Sequence, residues 1–401
     1  MRHTLSFAAV CLFYGTALVY GAGLVEAAEE ASRQPATLSD YFPPAEDAGG
    51  WRSLLPDQGE PDAGQKTKIR AAAGVDWDKL RAAWQHNETG EGPTGLIVVR
   101  RGYVVGEWYR DCERTTEFNI YSCSKAYTST AFGMILSDFA EEGVKAGQAL
   151  SLDTLVCNDK WLPESLPLTD PRKAQITVRQ LLNMASGLGE ENPPDPPSEN
   201  KPFEPQGKPF EWLLGHVEGS PMARLKNDPA QTFHYSNAGV AHLVLAFHHA
   251  TGTDLYPFLR ERLFDPIGMR QAGWLQLGGG GAIGPFSQGY SGVTTTARDH
   301  ARFCYLALHR GKWGAKQIVP SAYYDFAWAP AAVKPDYGAQ WWVYPHHKDG
   351  PRDLVQTAGF RNNHGYVVPS LDLVFVRVGR GDKYPPDFES ELVKQVIAAV
   401  D

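Results

Sequence analysis

NIYSCSKAYTST, residues Asn119 to Thr130, sets Ser122 and Lys125 three positions apart at the head of a run rich in Ala, Phe, Met, Ile and Leu. A helix starting here puts both side chains on one face, with the ammonium within reach of the hydroxyl. A serine hydroxyl is a weak nucleophile until a neighbouring base takes its proton. A desolvated lysine can be that base, because burial lowers its pKa by up to ~5 units. The backbone N–H of Ser122, at the helix N-terminus, would also face an oxyanion formed on an attacked carbonyl. The same spacing recurs at Ser198 and Lys201, but in a proline-rich stretch with no helix to align the pair, and there it reads as chance.

Before this helix, LIVVRRGYVVGEWYR gives two β-rich runs joined by an Arg-Gly turn, a hairpin. After it the pattern is helical. Thr177 and Gln180 form a capping box ahead of VRQLLNMASGL, which is expected to stop at Gly187; Ser236 caps NAGVAHLVLAFHHATG; Thr296 with Asp299 opens ARDHARFCYLALHRG. HGYVVPS and LDLVFVRVG return to a β pattern, and DFESELVKQVIAAV closes as a helix. Strands at both ends around a helical middle predict an α/β (α+β) fold: an antiparallel sheet flanked by helices, with a mostly helical region inserted over roughly 125–290. Residues 28–75, rich in Pro, Gly and Ala, are expected to be an irregular extension before a helix that starts near Asp76. The stretch Asn192 to Phe210 carries seven prolines and reads as a long loop, either a stiff linker or a rim over a cleft. Gly278 to Gly281 reads as a flexible turn, since neither a preceding strand nor a following Gly-Lys-Ser/Thr marks a phosphate cradle.

With 401 residues, 43% hydrophobic and 21% charged, the chain can bury a large core. Its net charge of −8 and lack of a Lys/Arg run disfavour nucleic-acid or anionic-membrane partners and favour small-molecule chemistry. Arg2, the uncharged stretch Leu5 to Val25 and Val25-Glu26-Ala27 read as an export signal over residues 1–27, cleaved near Ala28, with a retained anchor as the competing reading. A periplasmic or secreted chain without stable membrane insertion is expected. Cleavage would remove Cys11 and leave four cysteines; Cys123 and Cys304 read as core packing, which leaves Cys112 and Cys157 as the pair able to form a disulfide. No His-Glu-x-x-His or Cys-x-x-Cys occurs, and His242, His248 and His249 lack a ligand spacing, so no metal is expected. No Gly-x-Ser-x-Gly elbow is present either.

FHYSNAGVAH holds Tyr235-Ser236-Asn237, the one Tyr-x-Asn of the chain. A phenol can relay a proton to a leaving group, and an Asn amide can bond both a lysine and a substrate carbonyl. Alone, this stretch reads better as a buried tyrosine beside a helix cap. In this order, YSCSKAYTS and HYSNAGVAHLVL, with LVCNDKWLPE, KAQITVRQLLNMASGL and VTTTARDHARFCYLAL, resemble the serine β-lactamase and penicillin-binding-protein superfamily, in particular class C β-lactamase-like esterases and 6-aminohexanoate-dimer hydrolases. The likeness extends through most of residues 76 to 400. It implies Ser122 as nucleophile, Lys125 as its proton acceptor, Tyr235 as general base and acid, and Asn237 as orienting amide, with no cofactor. The family's Lys-Thr-Gly or His-x-Gly motif is matched only by Thr357-Ala358-Gly359, which keeps the glycine and loses the cation. The Phe360 N–H would still complete an oxyanion hole, and Arg361 or His364 are candidates to replace the missing cation.

The sequence therefore predicts three segments: 1–27, 28–75 and a hydrolase domain over 76–401. The expected activity is hydrolysis of a small ester or amide through an acyl-enzyme on Ser122. A D,D-peptidase or β-lactamase acting on cell-wall or antibiotic amides is the alternative within catalysis. Outside it stands a non-catalytic peptide- or carbohydrate-binding descendant, against which the intact Ser122, Lys125, Tyr235 set argues.

Overall fold

A computed structural model describes residues 38–57, 59–140, 150–189, 208–278 and 281–401. The expected export segment, the Ser198–Lys201 pair and most of the proline-rich stretch lie outside them.

The segment before Asp76 is not simply irregular. Helix α1 (Ala63–Ala73) begins on a capping box between Asp62 and Gln65, yet buries only Ile69 and Ala73, so it has almost no apolar stripe by which a sequence would show it. Helix α2 (Trp77–Asn87) follows, capped by the Asp76 carboxylate on the Lys79 N–H. Strands β1 (Thr94–Arg100) and β2 (Tyr103–Arg110) are the expected hairpin; its turn residues, Arg101 and Gly102, both have positive φ, as the twist of a two-residue connection demands.

The inserted region contains helices α3 (Ser124–Ile135), α4 (Val178–Leu182) and α5 (Asn237–Thr251), and α6 (Ala297–Leu308) follows it. The Thr177–Gln180 capping box and the Ser236 and Thr296 caps form as expected. Helix α4 stops at Leu182 rather than near Gly187. Met184 turns into the left-handed region (φ 56°), and the backbone of Met184 and Ala185 then accepts from His234 and Ala230 instead of continuing the helix. Pro209 and Phe210, expected in the loop, open a short helix that runs to Leu214.

Strands β3 (Val355–Gly359), β4 (Asn363–Val368) and β5 (Leu373–Gly379) complete a five-stranded antiparallel sheet of order β3-β4-β5-β1-β2, and helix α7 (Phe388–Ala398) ends the fold. Alternate residues serve opposite faces. Ile97, Val99, Val374, Val376 and Val378 join the core under α3, α5 and α6; Leu96, Val98, Tyr366, Leu373 and Phe375 pack against Leu80 and Trp84 of α2 and Leu392 and Val396 of α7. Covering both faces explains why these strands read as near-continuous apolar runs. Each fully buried Val, Leu, Ile or Phe contributes about 1.5–3 kcal/mol. The described cysteines, Cys112, Cys123, Cys157 and Cys304, are free thiols, so the Cys112–Cys157 pairing that the sequence left open is not formed; Cys112 Sγ donates to the Thr94 carbonyl.

Candidate active site

The nucleophile candidate sits where a short 3-10 turn, Tyr121–Cys123, runs into α3. The turn is built locally. Asn119 Oδ1 accepts from the Tyr121 N–H (2.8 Å), Tyr121 adopts φ 48°, and Ser124 Oγ donates to the Tyr121 carbonyl (2.6 Å) while accepting from the Val293 N–H (3.0 Å). Ser124 is thus a buried structural brace. Ser122 is left half-buried at the helix mouth.

Lys125 is 1% exposed, on a helix nearly all of whose residues are buried. Its Nζ lies 3.0 Å from Ser122 Oγ, 2.8 Å from Asn237 Oδ1 and 2.9 Å from the Tyr290 carbonyl. Two of these partners can only accept. The third, the Ser122 hydroxyl, can accept from a lysine ammonium or donate to a neutral lysine amine. The geometry places the Lys125 amine within hydrogen-bond reach of the Ser122 hydroxyl.

Tyr235 stands just before the cap of α5, and Asn237 is that helix's first residue. The Lys125 Nζ is 4.6 Å from the Tyr235 ring centroid, a cation–π distance. Trp342 stacks behind the Tyr235 ring (6.4 Å, 19°), and Tyr337 meets it edge-on (6.3 Å, 79°). Ser122, Lys125, Tyr235 and Asn237 are thus brought together from two helix starts 112 residues apart.

Thr357-Ala358-Gly359 closes β3 beside this turn. A Cβ on Gly359 would stand 2.2 Å from the Ile120 carbonyl, so only glycine lets the strand come this near the nucleophile turn. Thr357 is not a vacancy for a cation. It is 1% exposed; its Oγ1 accepts from the Gly365 N–H and lies 3.2 Å from His300 Nε2, while His300 Nδ1 meets the Tyr127 hydroxyl at 2.8 Å. Burial pushes the His300 pKa down to about 3, which keeps this chain neutral. Phe360 is 53% exposed and packs edge-on against Tyr121, giving the mouth an aromatic wall.

The two candidate substitutes for the cation are placed differently. Arg361 sits in the turn after β3, bonded to both carboxylate oxygens of Asp382 (2.7 and 3.1 Å) and to the Tyr121 hydroxyl (2.9 Å). His364 is not brought to Ser122. It is 5% exposed, and the pleat of β4 turns its ring to the α7 side of the sheet, 3.6 Å from Glu389. Sequence reasoning missed Tyr290, whose contribution is a backbone carbonyl; the one hint was Gly289 and Gly292 on either side, both at positive φ. It also missed Trp342, the second of the adjacent pair Trp341-Trp342, which belongs to no motif.

The β-lactamase family model matches residues 89–399. The chain belongs to the β-lactamase family. Among solved structures, this β-lactamase-family chain is similar to a Bacillus anthracis protein assigned as a 6-aminohexanoate-dimer hydrolase (20% identity, 89% of this chain and 88% of that one, TM-score 0.64). It is similar also to a penicillin-binding protein homologue from Caulobacter crescentus (17%, 81% and 97%, 0.60) and to a family VIII carboxylesterase (14%, 86% and 99%, 0.60). At these identities the likeness carries the fold, an antiparallel sheet flanked by helices. Among curated proteins none matches the sequence.

Proposed function

We propose that this member of the β-lactamase family is a serine hydrolase that cleaves a small, uncharged ester or amide. Ser122 is the nucleophile, Lys125 takes its proton, Tyr235 returns a proton to the leaving group and activates the deacylating water, and Asn237 orients Lys125. The N–H groups of Ser122 and Phe360 are assigned to the oxyanion. The observation that carries this reading is the buried Lys125 Nζ set 3.0 Å from Ser122 Oγ and held there by Asn237 Oδ1 and the Tyr290 carbonyl. We take the chain to act after export, on the strength of the signal-like residues 1–27.

Preference for an uncharged substrate follows from the third motif. Position 357 holds a buried threonine engaged with His300, Arg361 is held by Asp382, and the mouth is walled by Tyr121 and Phe360. Without a cation at position 357 to meet a substrate carboxylate, a charge-assisted hydrogen bond of roughly 1.5–3 kcal/mol is forfeited, about one to two orders of magnitude in kcat/KM. The test compares kcat/KM for p-nitrophenyl butyrate with that for nitrocefin. The ester is expected to be favoured by at least tenfold; a preference for nitrocefin would move the β-lactamase or D,D-peptidase reading to first place.

A further inference from the structure

On the face of the sheet covered by α7, three metal-capable side chains converge that the proposed reaction does not use. Ligating atoms of His346, His347 and Glu389 all lie within 4.8 Å of one another. Ligand atoms on a tetrahedral ion, at about 2.1 Å from it, stand about 3.4 Å apart; His347 Nε2 and Glu389 Oε1 are already 3.3 Å apart. A second observation comes from a different element. His364 Nδ1, on β4, is buried, has no hydrogen-bond partner and lies 3.6 Å from the same Glu389 oxygen. A buried ring nitrogen without a partner calls for an explanation, and a shared ion supplies one.

We propose that His346, His347 and Glu389 bind one divalent transition-metal ion of the zinc type, with His364 Nδ1 at its inner edge, as a site separate from Ser122. The donor set of imidazoles and one carboxylate suits zinc or its neighbours better than calcium or magnesium, which prefer oxygen ligands. Imidazoles ligate in the neutral form. His347 Nε2 lies 2.8 Å from Gln356 Oε1, so binding exchanges that contact for the ion, and the ring proton moves to Nδ1. Because the donors come from a loop, a strand and a helix, no sequence spacing announces them.

The ion would fasten the loop that carries Trp342 to the sheet and to α7. Trp342 already exchanges two backbone hydrogen bonds with Gln356, its ring lies 4.4 Å from that of His346, and it stacks behind Tyr235. The test titrates Co2+ into untagged, chelator-treated full chain, following the absorption of tetrahedral cobalt and melting temperature, with zinc content measured in parallel. One ion per chain is expected, with a higher melting temperature on binding. Affinity should fall at least tenfold in His346→Ala, at a half-buried position, and in Glu389→Gln, the fold of each checked by circular dichroism. Substoichiometric uptake, or full binding retained in both variants, would overturn the proposal. Loss in either folded variant upholds it even if the enzyme acts on none of the substrates tried at Ser122.

Discussion

Lys125 and Lys173 are both 1% exposed, and the difference between them shows what makes a buried lysine chemical. Lys173 Nζ donates to Thr169 Oγ1 and to the Leu214 carbonyl, each at 2.8 Å, and so ties the end of the short helix Pro209–Leu214 to the turn that carries it. Lys125 has similar burial and similar bond lengths. Its hydroxyl partner, however, is a serine at a helix mouth, and an Asn amide and a tyrosine ring complete its surroundings. Burial makes a lysine's proton available; the neighbours decide whether any reaction uses it.

The largest effect expected from this contrast is on turnover. Lys125→Ala and Tyr235→Phe should each lower kcat by about two orders of magnitude or more while the protein still melts cooperatively. The double variant should be far less than additively worse, as for groups acting as one unit. Additive losses would mean that the two side chains do separate jobs. Lys173→Ala should behave oppositely. It leaves the Leu214 carbonyl and Thr169 without their partner, a cost of about 1–3 kcal/mol visible in denaturant unfolding, with kcat/KM unchanged within about twofold. A large loss of activity in a stable Lys173→Ala protein would erase the distinction.

A smaller effect sharpens the comparison through pH. Burial lowers the Lys173 pKa from 10.5 to about 8. Below pH 8 both folded and unfolded chains hold the proton; between about 8 and 10.5 only the unfolded chain does. Stability therefore rises with pH across that window, by up to about 1.4 kcal/mol per pH unit from this group. Lys173→Met should lack this rise, so the stability difference between wild type and variant at pH 9.5 should differ from that at pH 7.5. Parallel curves would mean that Lys173 titrates alike in both states.

Much of the site was legible because its signals are short-range. Ser122 and Lys125 share a helix turn, and Tyr235-Ser236-Asn237 announces itself by a helix cap. What was missed depends on partners distant in sequence. Arg361 reads as available until Asp382, 21 residues on, is seen to hold it. His364 reads as a strand-end residue until the register of β4 against β5 sets it opposite Arg377 and turns its ring towards Glu389. Thr357 reads as a lost cation, but its hydroxyl belongs to a buried chain through His300 to Tyr127. In the fold, the sheet and its helices followed from periodicity and caps, whereas α1 buries two side chains and left no stripe to read.

The central claim, that one serine at the mouth of α3 is chemically distinct from its neighbour two residues on, is tested most directly by covalent labelling. Protein treated with a fluorophosphonate and mapped by peptide mass spectrometry should carry a single adduct on Ser122. Ser122→Ala should carry none, although it keeps its melting temperature, because only one hydroxyl has been removed. An adduct on Ser124, whose hydroxyl is committed to the Tyr121 carbonyl and the Val293 N–H, or labelling that persists in Ser122→Ala, would contradict the account.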